Sequence, residues 1–189
     1  IISADESFHG RTFDTLAATG HDYYHVGYGP LSPGHVLVPY ADIKALEAVM
    51  DEDVCAVLLE PIQGEGGVMA LDPDYVQAVR KLCDEKDLVL IVDEVQTGVG
   101  RTGTFFAYQQ YGIQPDVVSF AKGIAGGLPF GGVMAGEKCC QVFTSGTHGT
   151  TFGGNPVAAA AACQVMDILD DAFLSQVREK GRYLREQIE

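Results

Sequence analysis

The chain has 189 residues, of which 47% are hydrophobic, and this is enough apolar material for one domain with a real core. It carries 26 acidic and 12 basic residues, a formal net charge of −14. Such a surface repels the phosphates of a nucleic acid, and no apolar run approaches the roughly 18 residues that a membrane span requires. We therefore expect neither a nucleic-acid partner nor a membrane-embedded protein.

The cysteines and histidines show no pattern typical of a disulfide framework or a metal site. The five cysteines are an odd number and contain no C-x-x-C pair, and the five histidines lack H-x-x-x-H spacing. This predicts reduced thiols in a cytoplasmic protein and no bound metal. The cysteines are Cys55, Cys83, Cys139, Cys140 and Cys163.

Along the chain, the predicted strands and helices alternate. The opening run IISADESF is more typical of a strand than of a leader peptide. Further short apolar runs predict strands at 54–60, 88–93, 117–120 and 131–136. Amphipathic or alanine-rich patterns predict helices at 41–53, 72–87 (capped by Asp72), 155–171 (starting at Asn155) and 174–189. The alternation predicts an α/β fold with a mostly parallel sheet flanked by helices.

Three of the predicted strands end on residues that could do chemistry, namely Glu60, Asp93 and Lys122. Ligands of α/β sheets bind beyond the carboxyl ends of the strands, where the glycine-rich segments of this sequence also gather. A lysine in a partly dry pocket is a nucleophile toward an aldehyde, as in a Schiff base with pyridoxal phosphate. That cofactor needs an anion beside its ring nitrogen, which Asp93 could provide. The alternative is a structural Asp93–Lys122 ion pair in a non-catalytic ligand-binding domain.

Three other sites are poorly supported by the motifs. A phosphate loop needs G-x-x-x-x-G-K-[ST], but GGVMAGEKC has Glu137 between the glycine and the lysine. GVGRTG matches G-x-G-x-x-G, yet DEVQT separates it from its strand and too few residues follow for a crossover helix. GTHGTTFGG lacks the G-x-S-x-G of a serine hydrolase.

Several longer motifs together resemble the class III (ornithine-type) aminotransferases, and most of all the acetylornithine aminotransferases. They are SFHGRT, LLEPIQGEGGV, VDEVQTGVGRTG, PDVVSFAKGIAGGLPFGGV and GTHGTTFGGNP, in order from Ser7 to about Ala162. The resemblance implies a fold type I pyridoxal-phosphate enzyme and a homodimer. It also implies that residues 1–189 form part of the large cofactor domain, with an N-terminal phosphate-binding loop and a C-terminal small domain lying outside them.

The resemblance implies roles at the cofactor. Lys122 would bind the cofactor's aldehyde and later move the substrate proton, while Asp93 would bond the ring nitrogen. Phe8 and Val95 would press on the two faces of the ring. Gln96 would bond the ring hydroxyl. Glu60 would support Gln96.

It also implies roles beyond the ring. Arg11 would bind the substrate α-carboxylate, and Glu65 would be a switch carboxylate that pairs with a distal arginine. Thr151, with Thr150 beside it, would reach the phosphate of the neighbouring subunit's cofactor.

Simpler roles compete with these. Phe8 and Val95 could be core residues, and Glu65 could be solvated. Arg11 could pair with Asp14. Thr150 and Thr151 could cap the helix that starts near Asn155.

The implied reaction transfers an amino group from N-acetylornithine, succinylornithine or ornithine to 2-oxoglutarate, giving a semialdehyde and glutamate in arginine biosynthesis. GTHG favours the acylated donors, because ornithine aminotransferases tend to have a glutamate after the first glycine. Other class III ω-aminotransferases, such as the 4-aminobutyrate type, remain an alternative.

Overall fold

The computed structural model describes residues 1–189 and contains eight strands and six α-helices. The strands are β1 (Ile2–Ala4), β2 (Val36–Val38), β3 (Ala56–Leu59), β4 (Ile62–Gln63), β5 (Met69–Ala70), β6 (Val89–Asp93), β7 (Val117–Phe120) and β8 (Gly132–Ala135). The helices are α1 (Phe13–Ala18), α2 (Asp22–His25), α3 (Ile43–Ala48), α4 (Pro73–Glu85), α5 (Pro156–Ile168) and α6 (Asp171–Ile188). Two short 3-10 helices cover Ala107–Tyr111 and Lys122–Ala125.

Six of the strands form one sheet in the order β2-β1-β3-β6-β7-β8. All neighbours in it are parallel except β7 and β8, which are antiparallel at one edge. Strands β4 and β5 form a separate antiparallel pair. The prediction of a mostly parallel α/β sheet is therefore confirmed, and β6 lies inside the sheet between β3 and β7.

Local capping explains where the two best-predicted helices begin. The Asp72 side chain accepts a hydrogen bond from the backbone N–H of Asp74 at 2.8 Å, one residue before α4 starts. Asn155 accepts from Val157 and Ala158 at 3.0 and 3.2 Å before α5. Each side chain satisfies N–H groups that the first turn of a helix leaves without a partner.

Helix α3 is shorter than the predicted span 41–53, because a polar turn ends it. It stops at Ala48, and the Asp51 carboxylate accepts from the backbone N–H of Asp53 at 3.0 Å. Such local bonds compete with the helical ones.

The main core lies between α4 and the centre of the sheet. Val79 and Cys83 of α4 pack with Val57 of β3 and Leu90 of β6, and all four are fully buried. Each aliphatic side chain buried in this way stabilises the fold by about 1.5–3 kcal/mol. Burial also raises the pKa of the Cys83 thiol to about 11. This cysteine is therefore an unreactive core residue.

A second, smaller core fixes the segment after β7. Ala162 of α5 packs on Ile124 and Ala125 of the 3-10 helix that starts at Lys122. The small alanine side chains of α5 thus allow it to pack closely on this segment. No helix in the structure has both the length and the apolar character that a membrane span requires.

Candidate active site

The carboxyl ends of four neighbouring strands meet around one small cavity. Phe8 and His9 follow β1, Glu60 follows β3, Asp93 ends β6, and Lys122 follows β7. The cavity has a volume of about 90 Å³. Its walls are formed by Phe8, His9, Gly10, Glu60, Asp93, Val95, Gln96 and Lys122. The structure thus brings together six of the residues that the sequence singled out.

Asp93 is held in place from two sides and lies at the wall of this cavity. One carboxylate oxygen accepts from the backbone N–H of Val95 at 3.0 Å, and the other lies 2.9 Å from Nδ1 of His9. Asp93 makes no ion pair with Lys122, so the pairing that a non-catalytic domain would require is not formed.

His9 is a site residue that the sequence analysis missed. Its side chain is only 2% exposed, and Nε2 is buried without a hydrogen-bond partner. The contact between Nδ1 and the carboxylate fixes the orientation of Asp93, which a partner for a cationic ring nitrogen needs. The signal was its place beside Phe8 in SFHG at the end of a predicted strand.

Lys122 lies where the small cavity meets a larger one of about 370 Å³, since both are lined by Val95, Gln96 and Lys122. The lysine is exposed and makes no hydrogen bond or ion pair, so the expectation of a partly dry lysine is wrong. The reason is that the 3-10 helix starts at Lys122 itself and turns the residue out of the sheet. Its amine lies without a partner at the wall of both cavities.

The backbone at Lys122 is in the left-handed region, with φ of +48°. Six non-glycine residues have positive φ, and Val68 and Val99 share the wall of the larger cavity with Lys122. Each such residue costs on the order of 1–3 kcal/mol and is retained where the surroundings impose it, often at functional sites. Three of the six strained positions therefore lie around the cavity that the Lys122 amine lines.

The glycines near Lys122 occupy their positions for different structural reasons. Gly123 lines the larger cavity, where an added Cβ would meet only Val99, at 3.9 Å. Gly126 and Gly127 have φ of +61° and +114°, which side chains disfavour. Only Gly123 therefore keeps the space beside the amine open, whereas Gly126 and Gly127 allow the chain to turn.

Glu60 is a buried carboxylate in the same cavity. It accepts a hydrogen bond from the backbone N–H of Phe8 at 2.9 Å. Burial raises its pKa to about 7, although the Phe8 N–H acts in the opposite direction. The predicted support of Gln96 by Glu60 is not formed, because the Gln96 amide donates to Glu65 instead, at 3.3 Å.

Arg11 lies against aromatic rings rather than against an acid. Its guanidinium carbon is 4.4 Å from the centre of the Tyr24 ring and 5.7 Å from that of Phe8. Asp14, the alternative partner, binds Ser32 and His35 instead. The guanidinium N–H groups are therefore available for a ligand.

Thr150 and Thr151 lie outside both cavities and are exposed. The Thr150 hydroxyl accepts from the backbone N–H of Gly153 at 3.2 Å, and Asn155 caps α5. The helix-capping alternative is therefore wrong. The predicted contact with a neighbouring subunit's cofactor stays a prediction.

The donor set around the small cavity suits pyridoxal phosphate. An amine without a partner, an oriented carboxylate, two apolar side chains (Phe8 and Val95) and the Gln96 amide surround one space. No group of three or more His, Cys, Asp or Glu side chains is placed to hold a metal ion. The site can hold an aromatic aldehyde between an amine and an acid.

Comparisons with known proteins agree on one family. The family profile described as aminotransferase class-III matches residues 1–189. The acetylornithine aminotransferase of Caldanaerobacter subterraneus subsp. tengcongensis is 53% identical over 190 aligned residues, which cover 100% of this chain and 48% of that protein. This chain thus spans about half the length of the curated relatives it matches.

Solved structures give the same result. An ornithine aminotransferase from Toxoplasma gondii, whose structure shows partial occupancy of PLP at its active site, has a TM-score of 0.93 and 36% identity, covering 99% of this chain and 45% of that one. The N-acetylornithine aminotransferase of Stenotrophomonas maltophilia has a TM-score of 0.77 and 36% identity, covering 98% and 43%. The predicted resemblance is confirmed, and the chain belongs to the class III aminotransferase family.

Proposed function

We propose that this chain is part of the large cofactor-binding domain of a pyridoxal-phosphate aminotransferase. Its reaction transfers the δ-amino group of N-acetylornithine, or of succinylornithine or ornithine, to 2-oxoglutarate, giving a semialdehyde and glutamate in arginine biosynthesis. The observation that carries the proposal is that Asp93 and Lys122, from neighbouring parallel strands, line one cavity without pairing to each other. The names of the similar aminotransferases support the donor.

Five of the residues that line the small cavity have a task in this reaction. Pyridoxal phosphate, when bound, supplies an electron sink for the substrate carbon. Lys122 would hold the cofactor by its aldehyde, and its amine would then take and return the proton of the carbon that carries the substrate's amine. Asp93 would hold a proton on the ring nitrogen, and His9 orients Asp93. Phe8 and Val95 hold the two faces of the ring.

The substrate's carboxylate is assigned to Arg11, whose planar guanidinium can bind it with two hydrogen bonds. Glu65 lies beside Gln96 and is exposed, which suits an acid that pairs with a distal arginine and moves when a second carboxylate enters. Together they give one site that accepts an amino acid and a dicarboxylic keto acid in turn.

We also propose a cytoplasmic homodimer. The five cysteines are unpaired, as in reducing compartments. Thr150 and Thr151 lie on an exposed loop outside both cavities, which suits a contact with a second subunit.

The test uses the full-length enzyme that contains this chain. Lys122→Ala should abolish both the visible absorbance of the lysine-bound cofactor and the transamination of N-acetylornithine, and borohydride should fix the cofactor on Lys122 of the wild type. Lys81→Ala is the control, since Lys81 lies on the outer face of α4 with only a surface ion pair to Glu85. Unchanged transamination in Lys122→Ala would refute the assignment. Comparing N-acetylornithine, ornithine and 4-aminobutyrate as donors then identifies the substrate.

A further inference from the structure

Tyr24 lies behind the proposed site and touches the two residues that meet the substrate and the cofactor. Its ring is 4.4 Å from the Arg11 guanidinium carbon, and its edge meets the Phe8 ring at 5.5 Å with an angle of 75° between the planes. Tyr24 itself lines neither cavity. It is therefore placed to act on the site only through these two neighbours.

The Tyr24 ring is held on its other sides as well. His21 and Tyr23 meet it at 5.3 and 4.8 Å between ring centres. The short helix that carries Tyr24 is tied to α1, since Nε2 of His25 lies 3.0 Å from the carbonyl oxygen of Leu16 and 2.9 Å from that of Thr19. The ring is thus a fixed surface rather than a mobile side chain.

Arg11 depends on such a surface. The residue is exposed and has no hydrogen bond or ion pair of its own, so nothing but the aromatic rings restricts its long side chain. An unrestricted arginine loses much conformational freedom when it binds a ligand. A ring that attracts the face of the guanidinium removes part of that freedom in advance and leaves the N–H groups at its edge free for a carboxylate.

We propose that Tyr24 is a positioning residue for substrate binding. Its ring holds the guanidinium of Arg11 in the orientation that receives the substrate carboxylate, an inference that rests on the function proposed above. The interaction acts on the binding of carboxylated donors and leaves the proton transfer at Lys122 unaffected.

The experiment follows the first half-reaction of the full-length enzyme in single turnovers, so that the carboxylates of the second substrate do not enter. For a carboxylated donor, Tyr24→Leu should raise the half-saturating concentration about tenfold, the size expected for a partly exposed cation–π contact. The limiting rate should stay within about twofold, since uniform binding alone is lost. Tyr24→Phe keeps the ring face and should behave as the wild type.

Three controls make the role specific. Tyr28→Leu removes a nearby tyrosine that is 62% exposed and should change nothing. An aliphatic amine without a carboxylate should react equally well with the wild type and Tyr24→Leu. In an Arg11→Ala background, Tyr24→Leu should have no further effect, because a residue that acts through Arg11 is silent without it. Tyr24→Met, which fills the space without a ring, should match Tyr24→Leu and replaces it if that variant does not fold.

The outcomes separate the two proposals. A wild-type enzyme that converts no carboxylated donor contradicts the proposed function, and the inference falls with it. An active wild type with an unchanged half-saturating concentration in Tyr24→Leu contradicts the inference alone. Loss of the carboxylate-free amine reaction, loss of bound cofactor, or an equal effect in the Arg11→Ala background would show that the ring only supports Phe8 or the fold.

Discussion

The end of β6 has two sides, and each holds one buried carboxylate. On the cavity side, Asp93 faces the space that Lys122 also lines. On the loop side, Glu94 is fully buried and accepts hydrogen bonds from the Thr97 hydroxyl and from the backbone N–H of Tyr108, the latter at 2.7 Å. Glu94 lines neither cavity.

The two carboxylates differ in what lies next to them. Glu94 connects the end of the strand to the 3-10 helix Ala107–Tyr111, and burial raises its pKa despite these bonds. Asp93 is equally well held, by His9 and Val95, but next to a space for a ligand. Burial and saturated hydrogen bonding therefore do not distinguish a carboxylate that we propose to act on the cofactor from a structural one, whereas an adjacent cavity does.

The sharpest test of this comparison is Asp93→Asn. The amide keeps the shape but removes the charge that a cationic ring nitrogen requires, so we expect transamination by the full-length enzyme to fall about a hundredfold or more. The free energy of unfolding should change little. Asp74→Asn, on the exposed first turn of α4, is the matched control and should be fully active. If Asp93→Asn kept the turnover of the wild type, Asp93 would be a structural carboxylate like Glu94.

Glu60 extends the comparison to the neighbouring strand and to pH. Its pKa of about 7 in the folded chain lies above the ordinary 4.5, so folding favours the protonated acid. Its contribution to stability is complete below pH 4.5 and is lost as the pH rises through about 7. The loss should reach up to about 3 kcal/mol, and Glu60→Gln should abolish it.

The measurement is urea unfolding followed by circular dichroism at a series of pH values, with wild type and Glu60→Gln compared point by point. Other groups that titrate in this range affect both proteins equally, so the difference in the free energy of unfolding reports Glu60. If the free energy of unfolding changed with pH equally in the wild type and in Glu60→Gln, burial would not raise the pKa of Glu60.

The smallest expected effect concerns the loop side. Thr97→Val keeps the volume but removes the hydroxyl that donates to Glu94, which should lower the free energy of unfolding by about 2 kcal/mol. Thr147→Val is the control, since that hydroxyl bonds only within an exposed turn and its loss should cost less than about 0.5 kcal/mol. Equal stabilities of the two variants would contradict the structural role of Glu94.

The sequence predicted those parts of the fold that depend on local patterns. Continuous apolar runs predicted β3, β6 and β7, and side chains that cap helices predicted the starts of α4 and α5. Strand β2 was missed because its apolar run is only three residues long. It exists through pairing with β1, in which Val36 lies opposite Ile2.

The candidate site, too, could be predicted only where a local pattern in the sequence reveals a residue. Asp93 and Lys122 could be found because residue type and position at a strand end are both visible in the sequence. The contact of His9 with Asp93 joins residues 84 positions apart, and no local pattern contains it. The left-handed backbone of Lys122, the first residue of a 3-10 helix, was missed as well, since no local pattern in the sequence contains it.

The backbone conformation of Lys122 puts the stability of the fold in conflict with the amine that the proposed reaction needs. Glycine adopts a φ of +48° without strain, whereas a lysine there strains the backbone. An engineer who selects variants of this chain for heat resistance alone should therefore be led to Lys122→Gly, and would obtain a hardier protein without its reactive amine. Screens for thermostable variants of this chain need to select for turnover at the same time.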